Sequence, residues 1–256
     1  MIAFASATAP PVLETRGLSK SFGGVQAVDG VDLAMPKGEI LALIGPNGAG
    51  KTTFFNMLTG QLRADAGEVR FKGERVTGLP PYAVWRRGMS RTFQITATFA
   101  TLTALDNVRV ARLSHRGFTY SLLEPASRLQ TAEARALLEQ VGLGEQAERA
   151  AAVLAYGDLK KLELAMALAN DPEVLLLDEP TAGMAPGERG ALMALTRRIA
   201  RERGLTVLFT EHDMDVVFAI ADRIMVLHQG RVIADGAPAE VRADAQVQRV
   251  YLGEEG

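Results

Sequence analysis

The sequence predicts an α/β fold, on three observations. Short apolar runs alternate with segments of helical period. One run, Ile40 to Ile44, leads through a glycine-rich turn into a helical segment that begins at Lys51. Another, Val174 to Leu177, ends on two adjacent carboxylates, Asp178 and Glu179. Such alternation builds a mostly parallel sheet with helices packed on it. With 256 residues the chain can bury a large core, as one domain or as one domain carrying an insertion. A formal charge of -2, with acids and bases mixed along the chain, gives no basic face for nucleic acid. The absence of cysteine excludes disulfides and thiolate metal sites.

Met1 to Pro11 is small and apolar but lacks the basic start and length of a secretory leader, so it reads as a frayed tail. Strands are expected at Leu13 to Leu18, Val31 to Ala34, Ile40 to Ile44 and Val69 to Phe71. Four more are expected at Val174 to Asp178, Val207 to Thr210, Ile224 to Leu227 and Val232 to Ala234. The first of these are closely spaced and divided by Gly23-Gly24, Gly30 and Pro36-Lys37-Gly38, which predicts an antiparallel β region ahead of the main sheet. From Leu102 to Ala169 the pattern turns helical. Ala134, Leu137, Leu138 and Val141 form one amphipathic stripe, stopped by Gly142. Leu159, Leu162, Met166 and Ala169 form a second, stopped by Asp171-Pro172. The expected domain is therefore 12–256, with a core made of 12–94 and 171–256 and a helical sub-domain at about 95–170. No run of about 18 apolar residues is present, so any membrane role must come through partners.

Gly45-Pro46-Asn47-Gly48-Ala49-Gly50-Lys51-Thr52-Thr53 carries the chemistry. A glycine turn between strand and helix points several N–H groups into one concavity, where the helix dipole also favours an anion, so it cradles phosphate. Lys51 is placed for the outer phosphates and the Thr52 hydroxyl for magnesium. This makes the core a P-loop NTPase core. Asp178 then becomes the second magnesium residue and Glu179 the general base that activates water, which makes nucleotide hydrolysis the expected reaction.

With both halves in place, the chain resembles the ATP-binding cassette family from about Leu13 onward. The resemblance implies ATP and magnesium as cofactors and assigns further residues. Phe22, in Ser21-Phe22-Gly23-Gly24, matches the ring that stacks on adenine, its alternative being an ordinary core residue. Gln94, in Arg91-Thr92-Phe93-Gln94, matches the glutamine that senses magnesium and the attacking water. His212, in Thr210-Glu211-His212-Asp213, matches the switch histidine on the γ phosphate. The signature turn that serves a partner's phosphates corresponds to Leu154-Ala155-Tyr156-Gly157-Asp158, which resembles the variant of branched-chain amino acid importers.

Two departures stand out. Asp158 replaces an expected glutamine; at an effective dielectric near 20 its charge, about 8 Å from a phosphate, would cost on the order of 2 kcal/mol. The alternative has Asp158 capping its own helix and pointing away. Ala185 replaces the aspartate that reaches across the interface in this family. Both departures affect contacts to a partner, which implies pairing with a different ATPase and two unequal sites. The resemblance also implies two membrane permease subunits, an indirect link to a substrate-binding protein, and a peripheral place on the cytoplasmic face of the inner membrane. Residues 95–107, with Phe99, Leu102 and Leu105, form either a groove for a permease helix or a plain buried loop. Rival readings are a urea or amide importer, a lipopolysaccharide-export ATPase, a soluble P-loop phosphotransferase, and a soluble cassette of DNA repair or translation; the ending Tyr251-Leu252-Gly253-Glu254 resembles both the importers and the export ATPase and does not separate them.

Overall fold

A computed structural model describes residues 10–92, 98–116 and 131–252. The chain opens with two long paired strands, β1 (Leu13–Phe22) and β2 (Val25–Met35), and then enters the short buried strand β3 (Ile40–Ile44). Helix α1 (Lys51–Leu58) is followed by β4 (Ala66–Phe71), β5 (Glu74–Arg75), α2 (Pro81–Arg86) and β6 (Met89–Thr92). Three helices come next: α3 (Ala104–Arg116), α4 (Thr131–Gln140) and α5 (Tyr156–Leu168). The chain then alternates through β7 (Val174–Asp178), α6 (Pro186–Arg203), β8 (Thr206–Thr210), α7 (Met214–Ile220) and β9 (Arg223–His228). It finishes with β10 (Arg231–Gly236), α8 (Pro238–Ala243) and α9 (Ala245–Leu252).

Two sheets result. The antiparallel one runs β2-β1-β4-β5 and the larger one runs β10-β9-β3-β8-β7-β6. In the larger sheet every pairing is parallel except that of β10 with β9. Its central strands read as continuous apolar runs because both faces are covered. In β3, Ile40, Ala42 and Ile44 enter the core shared with the helices, while Leu41 and Leu43 enter the core shared with α1 and the antiparallel sheet. Strand β7 divides in the same way, with Leu175 and Leu177 on one side and Val174 and Leu176 on the other. So do β8 and β9, since the side-chain period of a strand is two.

The antiparallel region, the mostly parallel sheet and the helical segment are thus those the sequence predicts. The structure lengthens several strands and adds β5 and β6. Strand β6 holds one apolar residue in four, and its place comes from pairing with β7, from Met89 opposite Val174 to Thr92 opposite Leu177. Helix α4 buries Ala134, Leu137 and Leu138 as its stripe predicts, and Gly142 follows with φ +78°. Helix α5 is buried more widely than its stripe: Lys160 and Glu163 are also sunk in it, 3.1 Å apart.

Candidate nucleotide site

The site assembles where β3, β7 and β8 end at their carboxyl edge, the usual place for a ligand on an open parallel sheet. Gly45 leaves β3 with φ +153°, and a Cβ there would lie 2.1 Å from the Leu227 carbonyl oxygen at the end of β9. Gly50 has φ +104°, and a Cβ there would lie 2.2 Å from the Ala27 carbonyl oxygen. Both positions need glycine so that the loop can press against its neighbours. Pro46, Asn47 and Gly48 form the outer part of the turn, while Ala49 is buried beneath it and its N–H donates to the Pro46 carbonyl. Gly50 is the N-cap of α1 and offers no side-chain cap, so the first-turn N–H groups remain for an anion.

Lys51 is buried and its Nζ donates to the Gly45 and Pro46 carbonyls, so the ammonium lies folded against the loop. Burial pushes Lys51 below the usual lysine range, and the Glu179 and Asp178 carboxylates pull it back. Thr52 is exposed and Thr53 half-buried at the start of α1.

Asp178 is 4% exposed and both its oxygens are bonded. Oδ2 accepts from Arg91 Nη2 at 2.7 Å and Oδ1 from the Thr210 hydroxyl at 2.9 Å. The same hydroxyl oxygen accepts the Glu179 N–H at 2.9 Å, so one buried threonine fixes both acids. Glu179 has φ +49°, a strained conformation for a residue with a side chain. His212 Nε2 lies 2.9 Å from Glu179 Oε1, within hydrogen-bond distance. Next to it, Asp213 caps α7 through Val216 N–H and meets Arg189. Phe22 is 49% exposed, outside both cores, with Lys20 Nζ 5.5 Å from the ring centre. The core-residue alternative for Phe22 is excluded. Gln94 lies outside the described residues, two positions beyond the end of β6.

The turn before α5 differs from one of its expectations. Leu154 is buried in the helical core, and Ala155 is the N-cap with no side-chain bond. Asp158 does not cap the helix: it sits in the third helical position and its Oδ1 accepts from Lys161 Nζ at 2.9 Å. An acid there already favours the helix dipole, and a lysine one turn on captures it. The Tyr156 hydroxyl donates to the Ala182 carbonyl at 2.8 Å, and a Cβ on Gly183 would come within 3.1 Å of that hydroxyl. Gly157 packs beside Glu188. The turn is therefore tied to Ala182 and Gly183 of its own chain. Ala185 is the N-cap of α6, again without a side-chain bond.

Sequence reasoning assigned no role to Arg91, Thr210 or the Tyr156 hydroxyl. All three lie inside stretches it singled out, but their partners are 87, 32 and 26 residues away.

The ABC transporter family model matches residues 28–182, which hold the glycine loop, the turn before α5, and the paired acids at the end of β7. The chain belongs to the ABC transporter family. It binds nucleotide and hydrolyses ATP, coupled to transport. A second family model, for branched-chain amino acid ATP-binding cassette transporters, matches residues 231–256. The chain is 43% identical over 251 residues to the high-affinity branched-chain amino acid transport ATP-binding protein BraF of Pseudomonas aeruginosa, covering 95% of this chain and 98% of that one. It is 42% identical, with the same coverage, to LivG of Escherichia coli K12. Among solved structures, a nucleotide-free cassette from an ABC transporter superposes with a TM-score of 0.83 at 30% identity, covering 94% of this chain and 98% of that one. A cassette in its ADP conformation superposes with a TM-score of 0.85 at 30% identity, covering 96% and 100%. Among the described residues no helix is long and apolar enough to cross a membrane.

Proposed function

We propose that this chain is the ATPase subunit that powers import of branched-chain or related amino acids through two membrane permease subunits. In this reading it sits peripherally on the cytoplasmic face of the inner membrane and meets a substrate-binding protein only indirectly. The observation that carries the chemistry is the meeting of Lys51, Asp178, Glu179 and His212 at one sheet edge, with His212 on Glu179 at 2.9 Å. The amino-acid specificity is supported by the relatives' names and by the family model over the last 26 residues.

Residues 45–53 cradle the phosphates with backbone N–H groups, and Lys51 turns from the loop carbonyls to the outer phosphates. Phe22, exposed at the end of β1, stacks on the adenine. The donor set suits magnesium carried in with the nucleotide: the Thr52 hydroxyl and Asp178 supply oxygens, and among the described residues no cluster of three or more acids or histidines is placed to hold a metal alone. Bound there, magnesium would neutralise charge on the phosphates, and the family resemblance assigns Gln94 to sense it. Glu179 takes a proton from the attacking water, and His212, which lies against that carboxylate, turns its N–H to the γ phosphate once nucleotide is bound.

The core comprises 12–94 and 171–256, and the helical sub-domain, about 95–170, carries the turn at 154–158 to a partner chain's phosphates. Ala185 and Asp158 depart from the family pattern on that partner-facing side, which favours a second, different ATPase chain and unequal sites. Asp158 is already paired with Lys161, so its repulsion of phosphate is softened. Phe99 is 52% exposed while Asn107 holds its backbone N–H and carbonyl, which suits the groove reading for permease docking.

Glu179→Gln in the complex reconstituted with permeases is the test. ATP binding should persist while hydrolysis and vesicle uptake of leucine fall roughly 10²- to 10⁴-fold. Wild-type turnover would remove Glu179 as the base, and normal hydrolysis without leucine uptake in the unsubstituted complex would remove the substrate assignment.

A further inference from the structure

Arg91 is the third residue of β6, opposite Leu176 of β7, and its side chain is 7% exposed. Its guanidinium lies over the Phe55 ring, 5.6 Å from its centre, and reaches groups on both sides. Nη2 donates to Asp178 Oδ2 at 2.7 Å, forming an ion pair sealed from water on both sides. Nη1 donates to Asn56 Oδ1 at 2.7 Å and Gln61 Oε1 at 3.1 Å, groups in and just beyond α1, the helix that starts in the glycine loop. The planar fork thus joins the helix of the phosphate loop to the acid at the end of β7, a span a lysine could not bridge with the same geometry.

A carboxylate stripped of water is stable only when paired and hydrogen-bonded. Asp178 meets this condition with no metal, because Arg91 neutralises it and the Thr210 hydroxyl holds its other oxygen. Its remaining lone pairs can still accept from a water on a hydrated cation, but any cation arriving there meets a fixed positive charge on the far side of the carboxylate. Lys51, the other cation of the loop, is bonded instead to the Gly45 and Pro46 carbonyls.

We propose that Arg91 is a positioning residue that sets the magnesium affinity of the nucleotide site by holding and neutralising the Asp178 carboxylate. The chain thereby keeps a preformed, correctly aimed acid when the metal is away and holds magnesium weakly unless phosphates supply the rest of its coordination. Metal and nucleotide then enter and leave together. This rests on the assignment of Asp178 as a magnesium residue.

The experiment uses the full chain, a fluorescent ATP analogue and a magnesium titration, with no turnover measured. Arg91→Gln removes the charge and should lower the magnesium concentration for half-maximal tight binding about tenfold or more. Arg91→Lys keeps the charge but not the fork, and its midpoint should stay within about threefold of wild type. A folded Arg91→Gln protein with a wild-type or higher midpoint overturns the proposal. If Arg91→Gln does not fold, adding Asp178→Asn removes the stranded charge. Recovery of folding supports the ion pair, whereas continued failure assigns Arg91 to its packing against α1, through Asn56, Thr59, Gln61 and Phe55, and overturns the proposal. A wild-type chain whose binding ignores magnesium sinks the Asp178 assignment and this inference together, an outcome distinct from the others.

Discussion

The backbone oxygen of Leu227 sets the identity of residue 45. A Cβ at Gly45 would stand 2.1 Å from it, well inside any tolerated contact. Gly45→Ala should therefore destabilise the chain by about 3 kcal/mol through displaced backbone, and nucleotide binding should be lost even where the fold survives. Urea unfolding and nucleotide fluorescence measure the two effects separately; unchanged binding would mean that the loop tolerates a shift. The glycines, Lys51 and the paired acids were legible in the sequence because short spacings fix them, with glycine, lysine and threonine in one turn and two carboxylates at a strand end. The partners of those acids were not. Arg91 meets Asp178 across 87 residues, and a single sequence carries no trace of such a meeting. The pairing of His212 with Glu179, 33 residues apart, is equally hidden in a single sequence.

At the scale of elements, the starts of α5 and α6 lack side-chain caps. Ala185, N-cap of α6, has φ -64° and ψ 146°, a conformation in which an aspartate can accept from the N–H groups of the first turn. Ala185→Asp should add about 1 kcal/mol of stability, seen as a higher urea midpoint at unchanged slope. A lower midpoint would show that nearby Glu188 repels the new charge. Strands β3 and β7 were read to the residue because a run buried on both faces has no competing pattern. Strand β6, Met89-Ser90-Arg91-Thr92, was missed because its polar residues spell a loop until β7 pairs with them. The sequence offers Asp158 as a cap, but the cap position is Ala155, three residues earlier, and the acid turns to Lys161.

Across the whole molecule, Arg223 on β9 joins Glu39, just ahead of β3, to Asp235 on β10. Burial, the largest cause, raises the Glu39 carboxyl from 4.5 to about 7, against the pull of Arg223. The folded chain therefore holds this proton more tightly than the unfolded one. The resulting contribution is complete below about pH 4.5 and lost as pH rises to about 7. Urea midpoints across that window should fall less steeply in Glu39→Gln than in wild type; identical slopes would show that the proton is not held. The two cores flanking the large sheet have a further consequence, for the chain's tolerance of insertions and deletions. One residue added to or removed from β3, β7, β8 or β9 would send every following side chain of that strand into the opposite core. It would also shift whatever follows the strand by about 3.3 Å, be it the glycine loop, the paired acids or His212. A change of length in this chain is thus best tolerated in the connections and the helical layer, because the central strands measure out the site as well as support it.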